Sequence, residues 1–176
     1  MPSSLTNRYA TSDRSNISAD LPTSCPPNHI PLNADSQRID TYIRPPTQDE
    51  WSIYSARFRQ QKPCNSKHLQ GACTLFSCPY DHQDLEPESR HVLEYMLKCS
   101  GCPKKGMCRA GDCYYGHLCQ KDGCQGQMNG CKMKAALHNV DPKMASFVPV
   151  NEEVELVHGQ MEGVSVGMSD EGRYMW

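Results

Sequence analysis

Apolar positions are sparse along this chain, and only two stretches repeat them at a helical period. Residues 1–36 scatter single apolar side chains among Ser, Thr, Asn and Pro. Such a segment buries too little surface to offset its ordering entropy, so 1–36 is expected to be a disordered N-terminal segment. Residues 37–46, QRIDTYIRPP, are expected to be extended, because Pro45 and Pro46 bar a helix and bias Arg44 toward an extended conformation. Thr47 and Glu50 then supply the two ends of a capping box. Trp51, Tyr54 and Phe58 follow at helical spacing, which predicts a helix from about Gln48 to Gln60 inside a 37–62 lead-in. The aromatic stripe is read as packing, with the helix lying against the underside of the segment that follows.

From Cys64 to His82 the residues are short, polar and turn-forming. Pro87 suits the first position of a helix, where its missing amide costs nothing. Val92, Leu93, Met96 and Leu97 complete a short helix over 87–98, stopped by Ser100 and Gly101, within a helical spacer 84–101. Beyond His138, residues 141–176 read as an acidic, mostly disordered tail. Val148, Val150, Val154, Leu156 and Val157 leave room there for one short strand or docking segment.

Composition changes the picture. Of 176 residues 38% are apolar, but that share includes eleven cysteines, and mean hydropathy is -0.67. A chain so poor in aliphatic residues needs staples, and metal or disulfides can provide them. Eleven cysteines is an odd number, and the start of the chain shows no apolar leader for export, so disulfides are disfavoured. No apolar run approaches the length of a membrane span, and an intracellular place, nucleus or cytoplasm, is expected.

The cysteine spacing points to zinc. Cys64-x8-Cys73-x4-Cys78-x3-His82 is a complete four-ligand run in segment 63–83. Cys108-x4-Cys113-x3-His117 closes a second unit, placed at 102–118, and Cys119, Cys124, Cys131 and His138 form a looser third at 119–140. Three thiolates and one imidazole suit tetrahedral Zn2+. Ten cysteines and three histidines offer thirteen donors for twelve places. The spare is Cys99 or Cys102: the repeat of spacing favours Cys99 as a ligand, whereas a free loop position after Gly101 favours Cys102. Cys102 is taken. His68 is read as solvated, Cys25 as a free thiol, and His29, His91 and His158 receive no role. The expected fold class is therefore a small zinc-stabilised, mostly irregular fold with short helices and three CCCH-type units. Four protein donors leave a structural zinc closed, and neither an HExxH motif nor a catalytic triad is recognisable, so no enzyme is expected.

Charge modifies the choice of partner only slightly. Residues 57–143 carry 13 Lys/Arg against 8 Asp/Glu, while 144–176 carry one Arg against 6 acids. Each Cys3His site with its dication adds a charge of about -1, so bulk electrostatics alone does not argue for nucleic acid.

The spacings resemble CCCH zinc fingers, the tandem type best known from tristetraprolin-like RNA-binding proteins. QRID at 37–40, RPPTQDEW at 44–51, CPYDH at 78–82 and CYYGHLC at 113–119 resemble more closely a fungal group of CCCH proteins. The resemblance implies a third cysteine/histidine set and a C-x5-C opening for the second finger, which supports Cys102. It also implies single-stranded RNA as partner, with Phe76, Tyr80, Tyr114 and Tyr115 as stacking candidates and Lys67, Lys104, Lys105 and Arg109 as phosphate contacts. Lys62 is a further phosphate candidate. The function so expected is RNA binding in post-transcriptional regulation, the alternative being a zinc-stabilised protein-interaction module. Two departures stand out: no basic-aromatic lead-in precedes each finger, and the spacer between them is long and partly helical.

Overall fold

The computed structural model describes residues 14–126 and 130–150. Four helices are short: α1 (Ile17–Asp20), α2 (Gln48–Arg57), α3 (Asn65–Leu69) and α4 (Pro87–Lys98). Two strands, β1 (His29–Asn33) and β2 (Met144–Pro149), pair antiparallel, His29 opposite Pro149 and Leu32 opposite Ser146. Much of the remainder is loop, as expected where metal bonds stand in for a core.

The capping box forms as expected. Thr47 Oγ1 accepts from the Glu50 amide, and the Glu50 carboxylate accepts from the Thr47 amide and from Arg44. Helix α2 ends at Arg57 rather than Gln60, Phe58 leaving helical dihedrals as its C-cap, and the Arg57 side chain binds the Asp81 and Glu86 carboxylates and the Gln83 carbonyl. The helix packs on α4 and also meets the first cysteine unit, through Arg57 to Asp81 and Gln83 and through Tyr54, which shares a cavity wall with Cys64, Cys73 and Cys78. Helix α4 spans Pro87–Lys98 with Pro87 in its first turn and Val92 and Leu93 buried, as the pattern predicts.

Residues 14–36 contradict the expectation of disorder. Ile17 and Leu21 are buried with Ile39, Leu118 and Val140, and Ile30, Pro31 and Leu32 of β1 are buried as well. Residues 141–150 of the expected tail are likewise ordered, because β2 supplies the partner that β1 lacks. A two-stranded ribbon has little stability alone. Here Asn33 anchors it: its Oδ1 accepts from the amides of Asp35 and Gln37, and its Nδ2 donates to the Asp141 carbonyl. The apolar residues in these two segments are few, but Ile17 and Leu21 meet apolar residues from distant parts of the chain, which local pattern does not reveal. Residues 1–13 and 151–176 lie outside the described residues, as do Val154, Leu156, Val157 and His158.

Candidate metal centres

Each cysteine unit closes with the same backbone bond. The amide of its first cysteine donates to the carbonyl just before its histidine: Cys64 to Asp81 at 3.0 Å, Cys102 to Gly116 at 2.8 Å, Cys119 to Leu137 at 2.9 Å. In the first two units the residue before that cysteine also forms a parallel bridge, Pro63 with Asp81 and Gly101 with Gly116. These equivalences align Cys102 with Cys64. Cys99 instead caps α4, its amide bonded to the Tyr95 carbonyl.

Among the described residues the donors gather into three groups, Cys64/Cys73/Cys78/His82, Cys102/Cys108/Cys113/His117 and Cys119/Cys124/Cys131/His138, the ligand atoms of each within 4.8 Å of one another. Sulfur–sulfur distances are 3.8 Å for Cys64–Cys78, 3.8 Å for Cys102–Cys113 and 3.9 Å for Cys119–Cys131. A Zn–S bond of ~2.3 Å in a tetrahedron requires sulfurs about 3.8 Å apart, so the spacing suits the ion. Many of these sulfurs also accept an amide from two residues on: Leu75 to Cys73, Tyr80 to Cys78, Ala110 to Cys108, Tyr115 to Cys113, Lys121 to Cys119 and Gly126 to Cys124. Such bonds stabilise thiolate over thiol.

The second site shows most directly that a metal is needed. His117 is fully buried, its Nδ1 bonded to Asp40 at 2.9 Å, while its Nε2 is buried without a hydrogen-bond partner and lies with the three sulfurs. Burial opposes ionisation of Cys108, but the Ala110 amide, His117 and Arg38 outweigh it and bring the thiol down to about 7. Burial pushes Cys113 up to about 11, and the neighbouring Cys108 and Cys102 add to the rise. Three thiolates this close are held together only by a cation between them.

Two residues of the QRID stretch frame this site, and sequence reasoning assigned neither a role. Asp40 is buried and accepts from the His117 amide and Nδ1 and from Lys98 Nζ. Burial alone would raise its pKa; Lys98 and His117 more than reverse that and hold the carboxyl well below the usual carboxylate range. Arg38 donates to the Ala110 carbonyl and lies 3.6 Å from Cys108 Sγ. Ile39 between them is buried in the core with Leu118. The signal was the alternation charged–apolar–charged, which in an extended segment sends Arg38 and Asp40 to one side and Ile39 to the other.

The other sites have their own supports. At the third, all four donors are buried, His138 Nδ1 bonds the Lys134 carbonyl, and Nε2 lies 3.5 Å from Cys124 Sγ. Arg14 donates to the carbonyls of both Cys119 and His138, two ligands of that site. The first site is the most open, with His82 exposed. There His68 is buried rather than solvated; its Nε2 bonds the Asp81 carbonyl at 2.9 Å and braces the loop without joining the ligands.

Residues 92–143 match the family model of tandem CCCH zinc finger domains, and residues 56–85 match that of a CCCH zinc finger domain. The chain carries CCCH zinc fingers. Searches of curated proteins and of solved structures returned no match. The finger models cover the first two sites and the third, and each Cys3His set is a zinc site. Zinc bound there supplies four-coordinate cross-links in place of a larger core. Among the described residues no helix is long and apolar enough to cross a membrane.

The expected nucleic-acid contacts divide. Phe76 at 105% and Tyr80 at 47% are exposed on the first finger. Tyr114 and Tyr115 are half-buried, their ring centroids 4.7 Å apart. Lys104 and Lys105 are exposed and Lys67 is half-buried on α3. Arg109 is half-buried, and its guanidinium donates to the carbonyls of Gly106, Cys108 and Ser36, which fastens the second finger to the turn after β1.

Proposed function

We propose that the fingers bind single-stranded RNA in post-transcriptional regulation, with zinc in a structural rather than catalytic role. One observation carries this reading. A cavity of about 430 Å³ lies against the first metal site, where Cys64, Cys73 and Cys78 form part of its wall, and it is lined as well by Tyr80 of the first finger, Tyr114 of the second, Tyr54 and Lys62. Gln70 and Asp112, bonded at 2.9 Å, tie the two fingers to each other. Aromatic side chains left in water beside a concavity are the usual platform for bases, each stack contributing roughly 1–3 kcal/mol. Tyr80 stands beside the metal ligands yet leaves about half of its surface in water, at 47%, and Phe76 on the same finger is fully exposed. Lys62, Lys104 and Lys105 are exposed and suited to phosphates.

The test is titration of short single-stranded RNAs at low and moderate salt against the zinc-loaded protein and a Tyr80→Ala/Tyr114→Ala variant. Binding that weakens with salt and falls by tenfold or more in the variant supports the reading. A zinc-loaded protein that binds no RNA at tens of micromolar overturns it. The protein-interaction alternative would then gain from Leu75 and Met107, which are 61% and 75% exposed and offer apolar contacts of little use to RNA.

A further inference from the structure

Beyond the Tyr80/Tyr114 cavity two more concavities follow, each neighbouring the one before it at wall residues they have in common. Tyr114 also lines a cleft of about 470 Å³ with Arg44 and His91, whose Nε2 has no hydrogen-bond partner. That cleft shares Tyr42, Ile43 and Lys98 with a third cavity of about 460 Å³ between the end of α4 and the third finger. The first and third cavities share no wall residue. This sequence of concavities suits a linear ligand better than a compact one.

We propose that a single RNA strand runs from the first finger to the third along these concavities and seats a base in the last of them. This rests on the RNA reading above. Tyr42, Tyr95 and Met133 give that cavity apolar walls, and its volume falls within the range of ordinary small-ligand sites. Cys99, one of the two cysteines outside the three donor groups, is part of its lining. Lys121 and Lys132 stand at the rim, both exposed and, among the described residues, neither in an ion pair. The one acid there, Asp122, has both oxygens engaged by the Ser18 amide and hydroxyl. With the third zinc site and Asp122 set against the two lysines, the mouth is close to neutral overall. The preference therefore rests on two exposed ammonium groups placed as separate phosphate contacts and on aromatic walls that favour a base behind them. The opposite wall is set in advance, because the Gln120 side chain bonds both the Ile43 amide and the Thr41 carbonyl. Its position beside Cys119 and Cys131 makes the third finger a reader of RNA rather than only a brace.

The experiment is ultraviolet crosslinking of the zinc-loaded full chain to mixed-sequence RNA 10-mers carrying 4-thiouridine near either end, with the crosslinked peptides mapped by mass spectrometry. One end is expected on the peptide holding Tyr80 and the other on the peptide holding Tyr95 and Cys99. A Lys121→Gln/Lys132→Gln variant, checked to retain three zincs, is expected to bind several-fold more weakly. Its log–log salt slope should be shallower by about 1.4, two phosphate contacts at ~0.7 each. Crosslinks confined to the first two fingers, with affinity and slope unchanged in the variant, would overturn the third-finger site and leave the RNA reading standing. Absence of any RNA binding by the unaltered protein would overturn both.

Discussion

Asp40 holds His117 twice, accepting from its backbone amide at 2.6 Å and from its imidazole Nδ1 at 2.9 Å, across 77 positions of chain. The pair selects the tautomer that leaves Nε2 for zinc and fixes the ring's orientation. Lys98 balances the buried carboxylate from the other side and also donates to the Tyr115 carbonyl. A segment before the first finger thus completes the second.

Asp40→Asn should therefore weaken zinc at the second site without removing a ligand. Loss of such an outer partner typically costs 10–100-fold in metal affinity. Competition with a chromophoric chelator should show one of three zincs released early. Three equally tight zincs in the variant would refute the role assigned to Asp40.

Cys99 and Cys102 separate cleanly by zinc count. Native mass spectrometry should find three zincs in the unaltered chain and in Cys99→Ser, and two in Cys102→Ser. The physical basis is the bond from the Cys102 amide to Gly116, which places that sulfur and not Cys99 opposite His117. Excess chelator should abolish NMR dispersion throughout the fingers, since zinc binding there is folding energy.

Gly116 lies where a Cβ would stand 2.0 Å from the Lys98 carbonyl oxygen. The Met133 Cε at 3.1 Å can yield, but the Lys98 backbone cannot. Gly116→Ala should open the bridge to Gly101 and cost on the order of 3 kcal/mol or more, within the tail reserved for core overpacking. The measurement is thermal unfolding of the zinc-loaded variant, together with its zinc count.

Arg14 tests whether the N-terminal segment belongs to the fold. Removing its guanidinium in Arg14→Ala frees the Cys119 and His138 carbonyls and should cost about 1–3 kcal/mol per carbonyl left unsatisfied. Hydrogen exchange at the Cys119 amide should rise well before exchange at the Cys64 amide. Equal protection at both would mean the third finger stands without its clasp.

Much of this site was legible because zinc ligation is local. Cys64 to His82 contains every donor of its finger, and fixed spacings of thiol and imidazole carry the chemistry whatever surrounds them. The capping box at Thr47 and Glu50 and the helix starting at Pro87 are local in the same sense, since each rests on contacts within one turn. Tertiary structure alone decided the rest. Ile17, Leu21, Ile30 and Leu32 look too few to order a segment until Ile39, Leu118, Val140 and strand β2 are brought against them. Arg109 gives no sign in the sequence of the bond it makes to the Ser36 carbonyl. Asp40, Arg38 and Arg14 act on ligands 70 to 124 positions away, as the separations of their bonds record. A donor's identity is written at its own position, but its partner across the fold is chosen by how the whole chain closes.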